Sequence, residues 1–502
     1  MKRVILVLAV LLASTQLSAQ TGARAIVQAS IEAMGGEAAL KAVRNVKIDA
    51  MAHQYALEQS ERPEGPHLVT YQQISEIRDH AGQRQWKKQE VRNWSRPTWA
   101  GPTAVVADGV AAVSFSGRWG PHQPQQLART KEEFDLSPER LLFTALAAPD
   151  LSVAPGRVLH GIDNRAVSFT YNALKLTLYL NAHTDMPTML SIVENDTFGV
   201  WGDVTREQWY TYWTLQPGGW QFPQQVTTTW NGTPYSDFTV FSVTVNEALD
   251  EALFAIPEET KTAFRAAVAK GTPVGGMQTA KLDATKAIEI APNVIVMPGS
   301  WSVTLVRQPD GIVVLEAPIG SAYSSQVIAA AEAKFPGVPI KAVVTTSDAW
   351  PHLGGVREYV ARGIPVYALD LNLPILQRLV AAKMTSTPDT LHLKPRKADF
   401  RPVSKKLTIG TGATRVEVIP VRGEGSERMM MAYLPGLKLL YASDLLQFNR
   451  DGKTFFNPVY PAELAVAVKR EDLGAVEQTW AMHANPIPWS RVTEALALIK
   501  GR

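Results

Sequence analysis

Cysteine is absent from this chain. Disulfides and thiolate metal sites are therefore impossible, which suits an exported protein that avoids oxidative chemistry. A surplus of charge of one sign is missing too. Fifty Lys and Arg stand against 47 Asp and Glu, a formal charge of +3 over 502 residues, with no basic run; nucleic-acid binding is thereby excluded. The short catalytic signatures are also lacking. There is no Gly-x-Ser-x-Gly elbow, no Ser-x-x-Lys, no His-Glu-x-x-His, no phosphate-cradling Gly-x-x-x-x-Gly-Lys and no dinucleotide glycine fingerprint.

The chain opens on Met1-Lys2-Arg3, the apolar run Val4 to Ala13 and the small, polar stretch Ser14 to Ala19. This is the three-part layout of a secretory signal peptide, 1–19, cut after Ala19. The run is too short to span a hydrocarbon core of about 30 Å, so no transmembrane segment is expected beyond the signal. In a bacterial cell the location is periplasmic or extracellular. The total length predicts two or three domains at roughly 150 residues each.

Ala25 to Met34 has apolar residues at helical spacing and stops at Gly35-Gly36, and a second short helix covers Glu37 to Val43. From Val46 to about Val243 the text has period two, as in Lys175-Leu-Thr-Leu-Tyr-Leu, with turn signals such as Gln216-Pro217-Gly218-Gly219 and Asn231-Gly232 between runs. A large antiparallel sheet follows. One helix, Glu139 to Ala148, is expected to interrupt it, capped by Ser137 with Pro138 in its first turn. Nine of the 13 tryptophans lie between Trp86 and Trp230, where they either fill a concave sheet or line a groove for a greasy ligand. The opening helix pair, long meander and closing Asp250-Glu-Ala-Leu-Phe-Ala-Ile-Pro resemble outer-membrane lipoprotein carriers over 25–257. The resemblance implies a β half-barrel with helices around an apolar hollow. Residues 258–280 read as a helix and linker.

The second half, 281–502, begins with hairpins and continues with alternating strands and helices, including a helix around Glu471 to Glu477; this pattern predicts a two-sheet sandwich flanked by helices. Three of its strands end on residues with metal-ligand chemistry. Ala342-Val-Val-Thr runs into a turn carrying His352, Leu437 to Ser443 runs into Asp444, and Val476 to Met482 runs into His483. Side chains converge at the carboxyl ends of strands in layered α/β proteins.

The turn Thr346-Ser-Asp-Ala-Trp-Pro-His352-Leu-Gly-Gly355 resembles the Thr-His-x-His-x-Asp-His turn of the metallo-β-lactamase superfamily, as do Tyr441-Ala-Ser-Asp444 and Met482-His483 its later strand ends. Glu316 stands where that superfamily often has an early aspartate. The resemblance implies an αββα fold and a hydrolase. It also implies that the first metal position is lost at Ser347, Ala349 and Gly425, while the second keeps His352, Asp444 and His483 and loses its aspartate at Pro351. Two imidazoles and a carboxylate suffice for one divalent metal, Zn²⁺ first, Fe²⁺ or Mn²⁺ otherwise. Asp348 and Glu424, each beside a lost position, are the candidates for proton transfer, and Arg422 and Arg428 for holding an anionic group. The expected function is exported hydrolysis of an ester, amide or phosphoester in a small-molecule substrate. The other reading is a non-catalytic pseudoenzyme whose half-barrel takes a hydrophobic ligand or protein partner; the sequence leaves substrate and oligomeric state open.

Overall fold

A computed structural model describes residues 20–57, 67–93, 96–195, 200–271, 280–299, 301–449 and 451–500. The leader expected at 1–19 lies outside the described residues. No helix among them is long and apolar enough to cross a membrane. The chain divides into two units. One takes Met1–Tyr55, Val69–Glu194 and Val204–Val274; the other takes Ala56–Leu68, Asn195–Asp203 and Gly275–Arg502.

The first unit is one 14-stranded sheet built outward from its centre, where the first strand, Asn45–Tyr55, pairs antiparallel with the last, Thr233–Val245. One meander leads from that pair to the edge strand Arg118–Pro121, the other to the edge strand Ser152–Leu159. Alternation sets the buried face. Leu176, Leu178 and Leu180 are fully buried, in one core with Ala23, Val27, Ile31 and Met34 from the helix over 20–33. The spacing of those four residues places them on one helix face, and Gly35 and Gly36, both at positive φ, end the helix. Trp220 and Phe222 join the same core, whereas Tyr212 is exposed. Helix Glu258–Ala269, expected in the linker, belongs to this unit: Phe264 is buried with Val105, Ala111 and Phe254.

Two helices, not one, interrupt the meander: Gln125–Asp135 and Leu141–Ala147. The first escapes sequence periodicity because its buried residues are few, Thr130 and Phe134. The second starts late because the expected cap is engaged elsewhere. Ser137 Oγ donates to the Phe134 carbonyl at 2.8 Å. Glu139 leaves the helix to accept bonds from Arg78 Nε and Nη2, at 3.0 and 3.2 Å, and pairs with His80 Nε2 at 3.0 Å.

The second unit stacks two sheets. The first runs in the order Ile288–Ala291, Val294–Met297, Val303–Gln308, Gly311–Leu315, Ile340–Thr345, Val366–Leu369 and Phe400–Val403, antiparallel at its first three junctions and parallel at its last three. The second runs Leu407–Ile409, Val416–Pro420, Met430–Leu434, Leu439–Tyr441, Gln478–Ala481 and Ala484–Pro488. Between them lies one core, with Val294, Val296, Val313, Leu315, Ala342 and Val344 facing Val416, Val418, Met430, Ala432 and Trp480. Trp480 Nε1 donates across it to Thr304 Oγ1 at 2.8 Å. Helices cover the outer faces. Val459–Arg470 and Trp489–Lys500 bury Leu464, Ala467, Val492 and Ala495 against Ile419, Met431 and Leu440, and Ser321–Lys334 buries Tyr323, Val327, Ile328 and Ala331. Strands buried on both faces read as unbroken apolar runs, as Val294–Met297 does. The helix expected over Glu471 to Glu477 is instead Val459–Arg470; Gly474 at φ +71° belongs to the turn that follows it.

Glu139 is a direct test of the first unit. Burial raises its pKa, but Arg78 and then His80 outweigh this and hold it down at about 2, against an ordinary 4.5. Glu139→Ala is expected to cost about 3 kcal/mol, the usual order when one partner of a buried pair is removed, read from the urea midpoint. A depressed carboxylate contributes stability above its ordinary pKa and loses it as the pH falls, so the gap between wild type and variant should close between about pH 4.5 and 2.

Candidate metal centre

The strand Ile340–Thr345 lies parallel between Gly311–Leu315 and Val366–Leu369, so its carboxyl end opens on the same edge as theirs. The turn that follows is buried from Thr346 to Asp348 and enters the short helix Trp350–Leu353, with Pro351 in its first turn. His352 is carried there, its backbone N–H donating to the Ala349 carbonyl at 2.8 Å. Gly355 is required by close approach: a Cβ would stand 2.1 Å from Ser324 Oγ and 2.9 Å from the carbonyls of Ala317 and Pro318.

Asp444 and His483 follow two neighbouring strands, Leu439–Tyr441 and Gln478–Ala481, paired in parallel. The ladder continues past both, Ala442 donating to Trp480 at 2.8 Å and Met482 to Ser443 at 2.9 Å. The two ligand candidates thus emerge side by side, with His483 Nε2 3.2 Å from Asp444 Oδ1. Met430 N–H donates to the Thr346 carbonyl at 2.8 Å, which joins the edges of the two sheets and brings His352 to the same place. The ligand atoms of His352, Asp444 and His483 all lie within 4.8 Å of one another.

Beneath this cluster sits a buried polar knot. The Glu316 carboxyl accepts from Thr346 Oγ1 and, at 3.2 Å, from Tyr441 Oη, while Thr346 Oγ1 and Ser443 Oγ lie 2.7 Å apart. Glu316 and Ser443 hold positive φ, 78° and 53°, conformations costly for residues other than glycine and tolerated where surrounding contacts enforce them. Burial pushes Glu316 up to about 7 against the bonds that favour its charge.

The electrostatics of the cluster suit metal ligation. His352 is 3% exposed and its Nδ1 has no hydrogen-bond partner. Burial lowers its pKa to about 4, with His483 adding to the fall and Asp444 opposing it; the imidazole is neutral with its lone pair available. Burial raises Asp444, but the two imidazoles and the Gln447 amide, 2.7 Å away, outweigh it and leave the carboxyl below its ordinary range. Bonds of about 2 Å to one ion hold ligand atoms within about 4 Å of each other, and this cluster is close to that spacing. An orphaned buried nitrogen, an ionised carboxylate and a second imidazole fit a divalent cation. Trp301 lies against both rings, 6.3 Å from His352 and 6.1 Å from His483 between centroids.

The other sequence candidates fare differently. Asp348 is buried in the His352 turn, while Glu424 is exposed on the loop before Met430–Leu434; neither belongs to the cluster within 4.8 Å. Arg422 donates to the Ser404 carbonyl and Arg428 to that of Leu371, so each already serves the backbone. At Gly425, a Cβ would stand 3.1 Å from the Tyr460 ring, and Glu463 accepts from Gly425 N–H at 3.0 Å. A side chain of helix Val459–Arg470 occupies the space a larger residue would need. Ser347 Oγ accepts from Ala349 N–H at 3.2 Å. Trp301, Gln447 and the Thr346–Ser443 contact were not foreseen. Only Glu316 had a sequence signal, a carboxylate ending the apolar run Val313-Val-Leu.

No protein-family model and no curated protein matches the chain. Solved structures do. A metallo-beta-lactamase from Pontibacter korlensis aligns at 16% identity over 44% of this chain and 100% of its own, with a TM-score of 0.35. One from Erythrobacter litoralis aligns at 12% over 43% and 96%, TM-score 0.33. The inverting sec-alkylsulfatase Pisa1 from Pseudomonas sp. aligns at 15% over 42% of this chain and 40% of its own, TM-score 0.31. Such scores carry no functional argument for this chain, whose chemistry rests on its own residues.

Glu316 gives the site a measurable pH signature. Its folded pKa lies above its unfolded one, so the folded state binds the extra proton and stability falls as the pH rises from about 4.5 to about 7. Glu316→Gln removes that proton. Relative to wild type, the variant is expected to gain about 3 kcal/mol between pH 4.5 and pH 8, at 1.36 kcal/mol per pKa unit, in urea titrations at the two pH values. A difference that does not change with pH would mean that the carboxyl is ionised throughout.

Proposed function

We propose that the second unit is a hydrolase of the metallo-β-lactamase fold that works with one divalent metal, zinc first, on an ester, amide or phosphoester bond, and that the protein is exported through its leader at 1–19. The observation that carries this reading is convergence: two imidazoles and a carboxylate from three separate strand ends bring their ligand atoms within 4.8 Å of one another. Of the three only His352 is fully buried, and a buried nitrogen without a partner is costly.

In this reading His352, Asp444 and His483 hold the ion, and a divalent ion there supplies Lewis acidity toward water or the oxygen of the scissile bond. The neutral His352 and the ionised Asp444 present lone pairs without first losing a proton. The Glu316–Thr346–Ser443 knot fixes the turn that aims His352. Trp301 shields both imidazoles on one side and gives an apolar surface for the non-reacting part of a substrate. Asp348, buried in the same turn, remains the candidate to take a proton; Glu424, exposed, would have to be carried in by its loop. The filled space beside Gly425 favours one metal over two.

The first experiment is elemental analysis of mature protein purified without chelator, beside a His352→Ala, His483→Ala double variant. About one equivalent of zinc, iron or manganese in the wild type and none in the variant is expected, the count set by a single three-ligand site. Release of nitrophenol from nitrophenyl esters or phosphodiesters, or opening of a chromogenic β-lactam, should disappear with the metal. No metal in either protein, at unchanged melting temperature, would sink the hydrolase reading; metal without turnover of any of these probes would leave a binding protein.

A further inference from the structure

Past Asp444 the chain does not leave the sheet end freely. The next two residues, Leu445 and Leu446, are buried in one core with Leu464, Ala467 and Val492, and Leu445 N–H donates to the Ala442 carbonyl at 2.9 Å. This apolar pair turns the chain back toward the strand end. Gln447 arrives three residues after Asp444 with its side chain beside the carboxylate, and its Nε2 donates to Asp444 Oδ1 at 2.7 Å, a length typical of a charge-assisted bond.

Gln447 is itself held from behind. Its carbonyl accepts from Phe456 N–H at 2.8 Å, and Asn449 N–H donates to the Thr454 carbonyl at the same length. Between these two bonds Phe448 and Phe455 form an antiparallel bridge, with ring centroids 4.7 Å apart. Asn449 Nδ2 adds bonds to Thr454 Oγ1 and the Phe455 carbonyl, at 2.9 and 3.0 Å. The arms 447–449 and 454–456 thus fix the Gln447 backbone, and the amide approaches Asp444 from a braced position.

Among the described residues, the side chains that hydrogen-bond the Asp444 carboxylate are Gln447 and, at 3.2 Å, His483, and both reach the same oxygen, Oδ1. His483 is a fellow ligand candidate, whose ring nitrogen an ion would claim. The last torsion of an aspartate is broad, so without the amide nothing outside the ligand set would hold the carboxylate's rotation. Carboxylates that ligate metals are in turn hydrogen-bonded by groups that do not touch the ion. An ionised carboxylate only accepts, so the amide nitrogen is what faces it, and that nitrogen has no lone pair with which to ligate in its stead.

We propose that Gln447 is a positioning residue of the metal centre: its amide holds Asp444 Oδ1 and fixes the rotation of the carboxylate, so that Asp444 meets a divalent ion together with His352 and His483. This role rests on the reading of the cluster as a metal site and is independent of which bond the protein hydrolyses.

The test is zinc affinity of the full chain, stripped of metal and titrated in competition with a chromogenic zinc chelator. Gln447→Met keeps the length of the side chain and removes the donor. Its affinity is expected to be about tenfold weaker than that of wild type, the lower end of the usual cost of losing such a partner, at an unchanged melting temperature of the metal-free protein. The visible spectrum of the cobalt-loaded variant should move toward that of Asp444→Ala, a change that a merely structural role for Gln447 would not produce. If Gln447→Met melts below wild type without metal, Gln447→Ala, which leaves nothing to clash, makes the same comparisons. Wild type that takes up no zinc would sink the metal-centre reading and this role with it. Wild type that binds zinc, with the variant equal to it in affinity and spectrum, would overturn this proposal alone, and so would a weaker affinity with an unaltered cobalt spectrum.

Discussion

The second unit turns on the bond from Thr346 to the buried Glu316 carboxyl. Glu316 ends the strand Gly311–Leu315, Thr346 ends its parallel neighbour Ile340–Thr345, and Tyr441 and Ser443, which complete the knot, end a strand of the opposite sheet. Two sheets that share only an apolar core could slide over one another, because hydrophobic contact has no direction. Hydrogen bonds among four buried polar groups do have direction, and leaving any one of them unmade costs the full desolvation of its partner. The knot therefore sets the register of the strand ends, and with it the distance from His352 to Asp444 and His483.

This arrangement explains why the positive-φ residues lie where they do. Glu316 and Ser443 are both in the left-handed region and both in the knot. Each bends its chain away from the strand direction immediately after the strand stops, so that the turn enters the cleft between the sheet ends. The strain is held by the bonds it makes possible. A site placed there has rigid strands behind every side chain, which is what a ligand set spaced to fractions of an ångström needs.

Much of this was legible in the sequence, and the reasons are specific. His352, Asp444 and His483 could be found because each follows an apolar strand, and strand ends are where layered sheets expose side chains. Strands buried on both faces announced themselves as apolar runs. What stayed hidden depends on partners remote in the chain. Trp301 lies before its strand with no pattern to mark it, and the Ser302 N–H to Met482 carbonyl bond, 2.9 Å, ties its loop to the end of the strand that precedes His483. Tyr460 and Glu463 fill the place beside Gly425 from a helix whose position no local signal gives. The helix expected at Glu471 to Glu477 was misplaced because the true one, Val459–Arg470, buries Pro461, Leu464 and Ala467, and a proline near its start reads as a break as readily as a first turn.

Helix Gln125–Asp135 was missed for a different physical reason. Periodicity arguments assume that the inward face of a helix is apolar, because burial against a core is what normally holds it. Here the inward face offers only Thr130 and Phe134, and beside it Glu132 and Glu133 pair with Arg206 and Lys87. A buried pair of charges seldom stabilises a fold more than well-packed hydrophobic residues of the same size would. With so little apolar surface to bury, this helix leaves no trace in hydrophobic patterning, while the apolar face of the same sheet is packed by the helix over 20–33.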